Sequence, residues 1–201
     1  MYLNIITPCT RPNNLHKIFN SINIPEINFK WVIVFDADKI PEVNFNLPSN
    51  CEMYSHKDAK SVTGNCQRQF AKTFVKHGHI YYHDDDTTLH PNLWNNIKDL
   101  SDRDFISFKQ EYCDGELRLT GETIKVGSID PHNFIVDSKL ALAYDWISDV
   151  CSADGIHAEQ CYSIAKAPIY IPLVLSTYNK LRPNKQEKRK RAKNKKQLTT
   201  I

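Results

Sequence analysis

Three apolar, extended runs each end in a polar or acidic cluster, and this repeated pattern constrains the fold more than any other feature of the chain. Tyr2–Thr7 runs into Pro8-Cys9-Thr10-Arg11, Trp31–Phe35 into Asp36-Ala37-Asp38, and Gly78–His83 into Asp84-Asp85-Asp86. Between them lie helical stripes: Leu15, Ile18, Phe19 and Ile22 recur at helical spacing, as do Val62, Cys66, Phe70 and Phe74 within 61–77. A further helix is expected over 91–100, with Pro91 at its first position. Trp31–Phe35 is apolar without interruption, as in a parallel strand covered on both faces. Strand and helix in alternation specify an α/β domain with a mostly parallel open sheet flanked by helices. In such sheets ligands bind at the carboxyl ends of the strands, where the three polar clusters fall.

The second half is less regular. Phe105–Phe108 and Leu117–Val126 read as strands, partly antiparallel, and Asn133–Val136 as another. Ser138–Trp146 and Ala153–Ala165 read as helices, and Ile169–Leu175 as a last strand. The expectation is a small antiparallel portion in this half of the sheet.

The aspartate run carries the most specific chemistry. Side chains alternate along an extended chain, so Asp84 and Asp86 are expected to point one way and Asp85 the other. Adjacent carboxylates raise one another's pKa unless a cation neutralises them. Mg2+ and similar hard ions bind through one or two carboxylates and complete their shell with water and substrate phosphates. The cluster therefore reads as a metal–phosphate site, against the simpler alternative of a solvated acidic turn.

Composition narrows the setting. At 201 residues and 41% hydrophobic, the chain is long enough for one domain with a sizeable core. No run approaches the ~18 apolar residues of a membrane span. The first residues lack a basic segment and a small-residue cleavage site, so no signal peptide is expected and a cytoplasmic location is. Six cysteines without CxxC spacing fit reduced thiols better than a disulfide framework or a zinc site. The net charge of +3 conceals an asymmetry: residues 180–201 hold ten Lys/Arg and one acid. Such a block reads as a disordered tail, 181–201, able to touch an anionic surface such as a membrane, or merely solubilising.

The ordered set of motifs resembles the nucleotide-binding half of GT-A glycosyltransferases, most closely the β1,3-glucuronyltransferases and their relatives. The segments that carry the likeness are Thr7-Pro8-Cys9-Thr10-Arg11, Trp31–Ala37, Gln67-Arg68-Gln69 and Asp84–Asp86, with weaker continuations at Gly127-Ser128-Ile129, Phe134-Ile135-Val136 and Asp154–Glu159. The resemblance implies one GT-A, Rossmann-like domain over 1–180, with a nucleotide-sugar-binding half (1–100) and an acceptor half (101–180). It implies transfer of a sugar from a nucleoside diphosphate sugar, expected to be a UDP-sugar, to a glycan or other hydroxyl acceptor, with Mn2+ or Mg2+ as cofactor. By the same likeness Asp86 ligates the metal, with Asp84 as a second ligand, and Asp84 and Asp85 contact the ribose of the nucleotide and assist the metal. Asp36 and Asp38 follow the second strand near base and ribose, and Thr7 and Arg11 surround the nucleobase. Arg68 pairs with phosphate or orients the aspartates.

An inverting transfer needs a carboxylate base beside the acceptor hydroxyl. Within Ala158-Glu159-Gln160 the resemblance points to Glu159 first. Asp154, before the same helix, is the alternate, although Asp154-Gly155 also reads as a helix start. His157 is expected to be an exposed histidine, with a metal or acceptor contact as the other reading. Tyr178 or Lys180 could replace a late diphosphate-binding histidine of the family. Tyr81 and Tyr82 are expected in the core.

Two rival functions fit parts of the pattern. Val32–Asp38 matches the strand-Asp-x-Asp opening of haloacid-dehalogenase-like phosphohydrolases, with Asp36 as nucleophile and Asp38 as acid/base. A non-catalytic nucleotide-sugar- or glycan-binding module is the other.

Overall fold

The computed structural model describes residues 1–58, 61–147 and 149–182. Eight strands form one sheet: β1 (Leu3–Cys9), β2 (Phe29–Phe35), β3 (Cys51–Ser55), β4 (His79–Tyr82), β5 (Phe105–Tyr112), β6 (Leu117–Leu119), β7 (Phe134–Asp137) and β8 (Pro168–Tyr178). The order is β3-β2-β1-β4-β7-β5-β6, with β8 paired to β5. The β3-β2-β1-β4 block is parallel, β7 runs against both β4 and β5, β6 runs against β5, and β8 runs parallel to β5. Among the described strands only β6 and β7 are therefore reversed, the small antiparallel portion expected of the second half.

Period-two alternation builds the core. Leu3, Ile5, Trp31, Ile33, Phe35 and Tyr81 face one side of the sheet, where Leu15, Ile18, Leu93 and Ile97 cover them. Ile6, Val32, Val34, Ile80 and Tyr82 face the other, against Ala71, Trp146, Ala158 and Cys161. Each such side chain contributes roughly 1.5–3 kcal/mol when fully buried. A sheet covered on both faces needs apolar residues at successive positions, which is why β1, β2 and β4 read as continuous runs.

Among the described residues five α-helices flank the sheet: α1 (Leu15–Phe19), α2 (Asn65–Lys72), α3 (Leu93–Ile97), α4 (Ser138–Leu142) and α5 (Ala153–Ile164). Several are shorter than the sequence pattern predicts. Thr63 (φ 54°) and Gly64 (φ 78°) are left-handed, so α2 begins at Asn65 and not at Ser61. The expected strand Leu117–Val126 stops at Leu119. Gly121 turns there at φ 72° so close to β5 that a Cβ would lie 2.2 Å from the Phe108 carbonyl oxygen. Conversely β8 runs three residues past the predicted end, to Tyr178.

Parallel strands place their carboxyl ends together. Arg11, Asp36, Asp84–Asp86 and Asn179 follow β1, β2, β4 and β8 on one edge of the sheet, and the reversed β7 begins on that edge with Asp130–Asn133. The chain outside the described residues includes 183–201, most of the basic segment. Leu181 and Arg182, the start of the tail predicted from charge, are ordered against Asp86. No helix among the described residues is long and apolar enough to cross a membrane.

Candidate active site

A cleft of about 480 Å3 opens along this carboxyl edge. Its walls come from the β1–α1 loop (Pro8, Thr10, Arg11), the end of β2 (Asp36), the entry to α2 (Thr63–Asn65, Arg68), the aspartate run, the start of α5 (Asp154) and the turn after β8 (Tyr178, Asn179, Arg182). Six aspartates and four arginines line it, a net of two negative charges. An anionic ligand alone is repelled by such a cleft, whereas a divalent cation or a cation–anion pair is accommodated.

The three consecutive aspartates have three different environments. Asp84 is held by Arg68, which reaches over from α2. Burial by itself would raise the Asp84 pKa; the Arg68 guanidinium outweighs it and keeps the carboxyl below its ordinary range. Arg68 also donates to the Thr63 carbonyl (2.8 Å) and to Asn65 Oδ1 (3.2 Å), and its guanidinium lies 5.2 Å from the Trp146 ring centroid. Its place is thus that of an orienting cation fixed beneath the cleft.

Asp85 lines the same cleft but has different partners. Its carboxylate accepts from the Thr10 backbone N–H (2.6 Å), Thr10 Oγ1 (3.1 Å), the Arg11 backbone N–H (2.6 Å) and the Arg11 guanidinium. Asn14 donates to its carbonyl at 2.8 Å. Asp85 is consumed in pinning the β1–α1 loop, which sets it apart from the nucleotide contact that the resemblance implies.

Asp86 is the least satisfied. Arg182 Nε donates to Oδ2 at 2.5 Å and Arg11 Nη1 lies 3.7 Å from the same oxygen, while Oδ1 is buried with no hydrogen-bond partner among the described residues. Burial, then the Asp84 charge, raises its pKa in spite of Arg182. A buried carboxylate oxygen without a donor is costly, and a cation relieves that cost. No group of three or more His, Cys, Asp or Glu side chains among the described residues is arranged to chelate a metal. The donor set therefore fits an ion taken through one or two carboxylates, as Mg2+ and Mn2+ are, and does not fit a fully protein-caged metal.

Behind this front lies a buried network that the sequence patterns did not reveal. His132 sits between Asp84 and Asp130, with Nδ1 3.1 Å from Asp130 Oδ1 and Nε2 3.5 Å from Asp84 Oδ2. Two influences oppose each other at this ring. Burial lowers its pKa and the two carboxylates raise it further, to about 9; yet the fixed Asp84 backbone N–H donates to Nε2 at 2.8 Å, which requires that nitrogen to be unprotonated. The geometry is that of a neutral ring with its proton on Nδ1, facing Asp130. Asp130 also pairs with Arg118 at 3.0 Å, and Arg118 lies 3.8 Å over the Tyr178 ring. Asp130-Pro131-His132-Asn133 forms a capping box, the one local signal that could have marked these residues.

Other expected site residues fall elsewhere. Thr7 is fully buried in β1, where its hydroxyl accepts from Trp31 Nε1 at 2.9 Å; Pro8 and Thr10 reach the cleft instead. Asp38 has a side chain 85% exposed and pairs with Lys57 at 3.3 Å, outside the cleft. A phosphohydrolase using Asp36 and Asp38 as partners thus lacks its acid/base. Glu159 accepts from the Val126 backbone N–H at 2.6 Å and is not part of the cleft lining, whereas Asp154 is. Burial raises the Asp154 pKa. His157 is buried, not exposed, and is not part of the cleft lining: its Nε2 lies 3.1 Å from the buried Tyr82 hydroxyl, and burial pushes its pKa down to about 3. Lys180 is exposed and absent from the lining, while Tyr178 is part of it.

No protein-family model matches the sequence, and no curated protein matches it. Solved structures do match in shape. S. aureus TarS 1–349 superposes with a TM-score of 0.73 at 13% identity, over 88% of this chain and 60% of that one. The same protein in complex with UDP-GlcNAc gives 0.70 at 13% identity, over 92% and 60%. The mannosyltransferase PcManGT of Pyrobaculum calidifontis, in complex with GDP-Man and Mn2+, gives 0.61 at 11% identity, over 88% and 56%. The fold is the GT-A glycosyltransferase fold. The chain spans about 60% or less of the length of these structures. At 11–13% identity the likeness carries the fold alone.

Proposed function

We propose that this protein is a divalent-metal-dependent glycosyltransferase that moves a sugar from a nucleoside diphosphate sugar, a UDP-sugar in our reading, to a hydroxyl acceptor. The observation that carries it is Asp86: a buried carboxylate with one unpartnered oxygen, at the strand edge where Arg11, Asp36 and Asp154 also meet. Structures of this fold bound to UDP-GlcNAc, or to GDP-Man with Mn2+, support it.

Asp86, with Asp84 beside it, would hold Mn2+ or Mg2+. When bound, such an ion neutralises charge that develops on the departing diphosphate. The chain's own residues do the rest. The Thr10–Arg11 loop, fixed by Asp85, and exposed Asp36 bracket the place for the nucleoside. Arg68 keeps Asp84 ionised and immobile, so the acidic edge need not reorganise as the donor arrives. Asp154 is the base: its carboxylate takes the proton of the acceptor hydroxyl, and the burial that raises its pKa makes it a better proton acceptor. The acceptor oxygen, giving its proton to Asp154, attacks the anomeric carbon from the face opposite the nucleoside diphosphate, so the new C–O bond forms as the bond to the diphosphate breaks and the sugar configuration is inverted. The acceptor is a glycan or another hydroxyl compound, and the basic segment 183–201 would bring the enzyme to an anionic or membrane surface from the cytoplasmic side.

The test is a thermal-shift screen of nucleotides and nucleotide sugars with and without Mn2+ or Mg2+. A ligand at 100 times its Kd adds roughly 2.7 kcal/mol of apparent stability. A metal-dependent rise with a uridine diphosphate, lost in Asp86→Ala, is the expected result. No shift with any nucleoside diphosphate, or one undiminished in Asp86→Ala, overturns the proposal.

A further inference from the structure

Arg182 stands where charge balance is decided. Its Nε donates to Asp86 Oδ2 at 2.5 Å, yet its side chain is 46% exposed, against 2% for Asp86. The backbone beneath it is fastened: the Leu181 N–H donates to the Asp86 carbonyl at 2.6 Å, and the Arg182 N–H to the Asn179 carbonyl at 3.0 Å. Asn179 turns the chain at φ 53°, a left-handed conformation that asparagine tolerates. The main chain is thus held at the cleft rim while a long, half-solvated side chain is free to swing.

A guanidinium and a divalent ion cannot both sit on one buried carboxylate without strong mutual repulsion. Arg11, the other cation near Asp86, donates its hydrogen bond to Asp85 and stands 3.7 Å from Asp86 Oδ2, so it does not occupy that carboxylate. A diphosphate, however, offers oxygens to a guanidinium, and arginine suits them geometrically.

We propose that Arg182 is a two-position cation: in the free protein it neutralises Asp86, and once a divalent ion takes Asp86 it turns to the diphosphate of the nucleotide and binds it. The inference rests on the metal–nucleotide reading of the cleft and adds a donor-binding residue beyond the aspartate run. It makes two effects of one substitution opposite in sign. Removing the guanidinium relieves competition for Asp86, so Arg182→Gln binds Mn2+ alone more tightly. It also deletes a diphosphate contact, so the same variant binds UDP less tightly when Mn2+ is saturating.

The experiment measures free Mn2+ by electron paramagnetic resonance, and UDP by calorimetry at saturating Mn2+, for the wild type, Arg182→Gln, Arg182→Lys and Asp86→Ala. Arg182→Gln is expected to tighten Mn2+ about fivefold or more and to weaken UDP by about tenfold, with Arg182→Lys between it and the wild type in both. Unchanged affinities in Arg182→Gln, or both moving in the same direction, overturn the role of Arg182. If Asp86→Ala keeps wild-type Mn2+ affinity, the metal reading itself fails, which separates the two failures. Melting temperatures of all four proteins identify any variant that does not fold, and the lysine variant, which keeps the charge, then decides by the same two affinities.

Discussion

The guanidinium of Arg68, buried in α2, donates to the carboxylate of Asp84 at the end of β4 and so ties the second helix to the acidic edge of the sheet. Both groups lie largely out of solvent, so removing one strands the other. Arg68→Met is expected to cost about 3–5 kcal/mol in urea unfolding at pH 7. The pH dependence follows from the lowered Asp84 pKa. A carboxyl depressed in the folded state contributes stability above its ordinary value, near 3.8, and loses it as pH falls through the lowered folded value. In the variant, burial without a partner makes Asp84 take up its proton at higher pH. The deficit of Arg68→Met should therefore narrow between pH 7 and pH 4; a constant deficit would show that the pair is held by packing and not by charge.

Asp85 differs from its neighbours in what its loss should do. Asp85→Asn places an amide among donors that need an acceptor, and about 2–4 kcal/mol of stability should go with it. Because Asp85 grips Thr10 and Arg11, and Asp86 and Asp84 are the carboxylates at the metal position, Mn2+ affinity should survive the change while nucleotide affinity drops. Electron paramagnetic resonance and calorimetry on the one variant check both halves. Loss of Mn2+ binding in a folded Asp85→Asn protein would return Asp85 to the metal.

β4 ends at Tyr82 and Asp85–Asp86 lie in a turn, so the different partners of the three aspartates come from that turn and not from strand alternation, and the sequence alone does not reveal them. The three strand ends were legible because continuous apolar runs announce strands covered on both faces. Thr7 was placed at the nucleobase by resemblance alone; it lies inside β1, where its buried hydroxyl accepts from Trp31. Asp38 lies three residues past β2, where the chain has already left the cleft for solvent. His132, Asp130 and Arg118 had no readable signal as a group. Asp130 and His132 lie in the turn that enters β7 and Arg118 lies on β6; the reversed direction of these two strands brings their starts to the edge where the parallel strands end, and only the assembled sheet makes that visible.

Asp154 and Glu159 illustrate the limit on a helix. Five positions apart, they point about 140° away from each other, so one at most faces the cleft. Local sequence does not say which; the packing of α5 turns Asp154 inward and leaves Glu159 on the Val126 N–H. Asp154→Asn should lower kcat at least ~100-fold with little change in donor KM, as expected for loss of a general base. Glu159→Gln should stay within a few-fold of the wild type. The pH profile of kcat should fall on the acid side through a pKa above the ordinary aspartate value, since burial raises Asp154 and the base must be ionised to act. Steady-state kinetics on the two variants decide the matter, and equal losses would show that the assignment to Asp154 is wrong.

Gly64 couples the two loops that frame the nucleotide side of the cleft. It adopts φ 78°, and a Cβ there would lie 2.7 Å from Cβ of Pro8. Gly64→Ala therefore meets both backbone strain and a collision with the rigid ring of Pro8 near the end of β1. The strain alone costs about 1–3 kcal/mol, and Pro8 has no flexible end with which to yield. The β1–α1 loop must shift, carrying Thr10 and Arg11 away from Asp85. The expected outcome is a lower urea midpoint together with nucleotide binding weakened more than Mn2+ binding, because Asp86 is not on that loop. A Gly64→Ala protein with wild-type nucleotide affinity would show that the nucleoside does not sit between these loops.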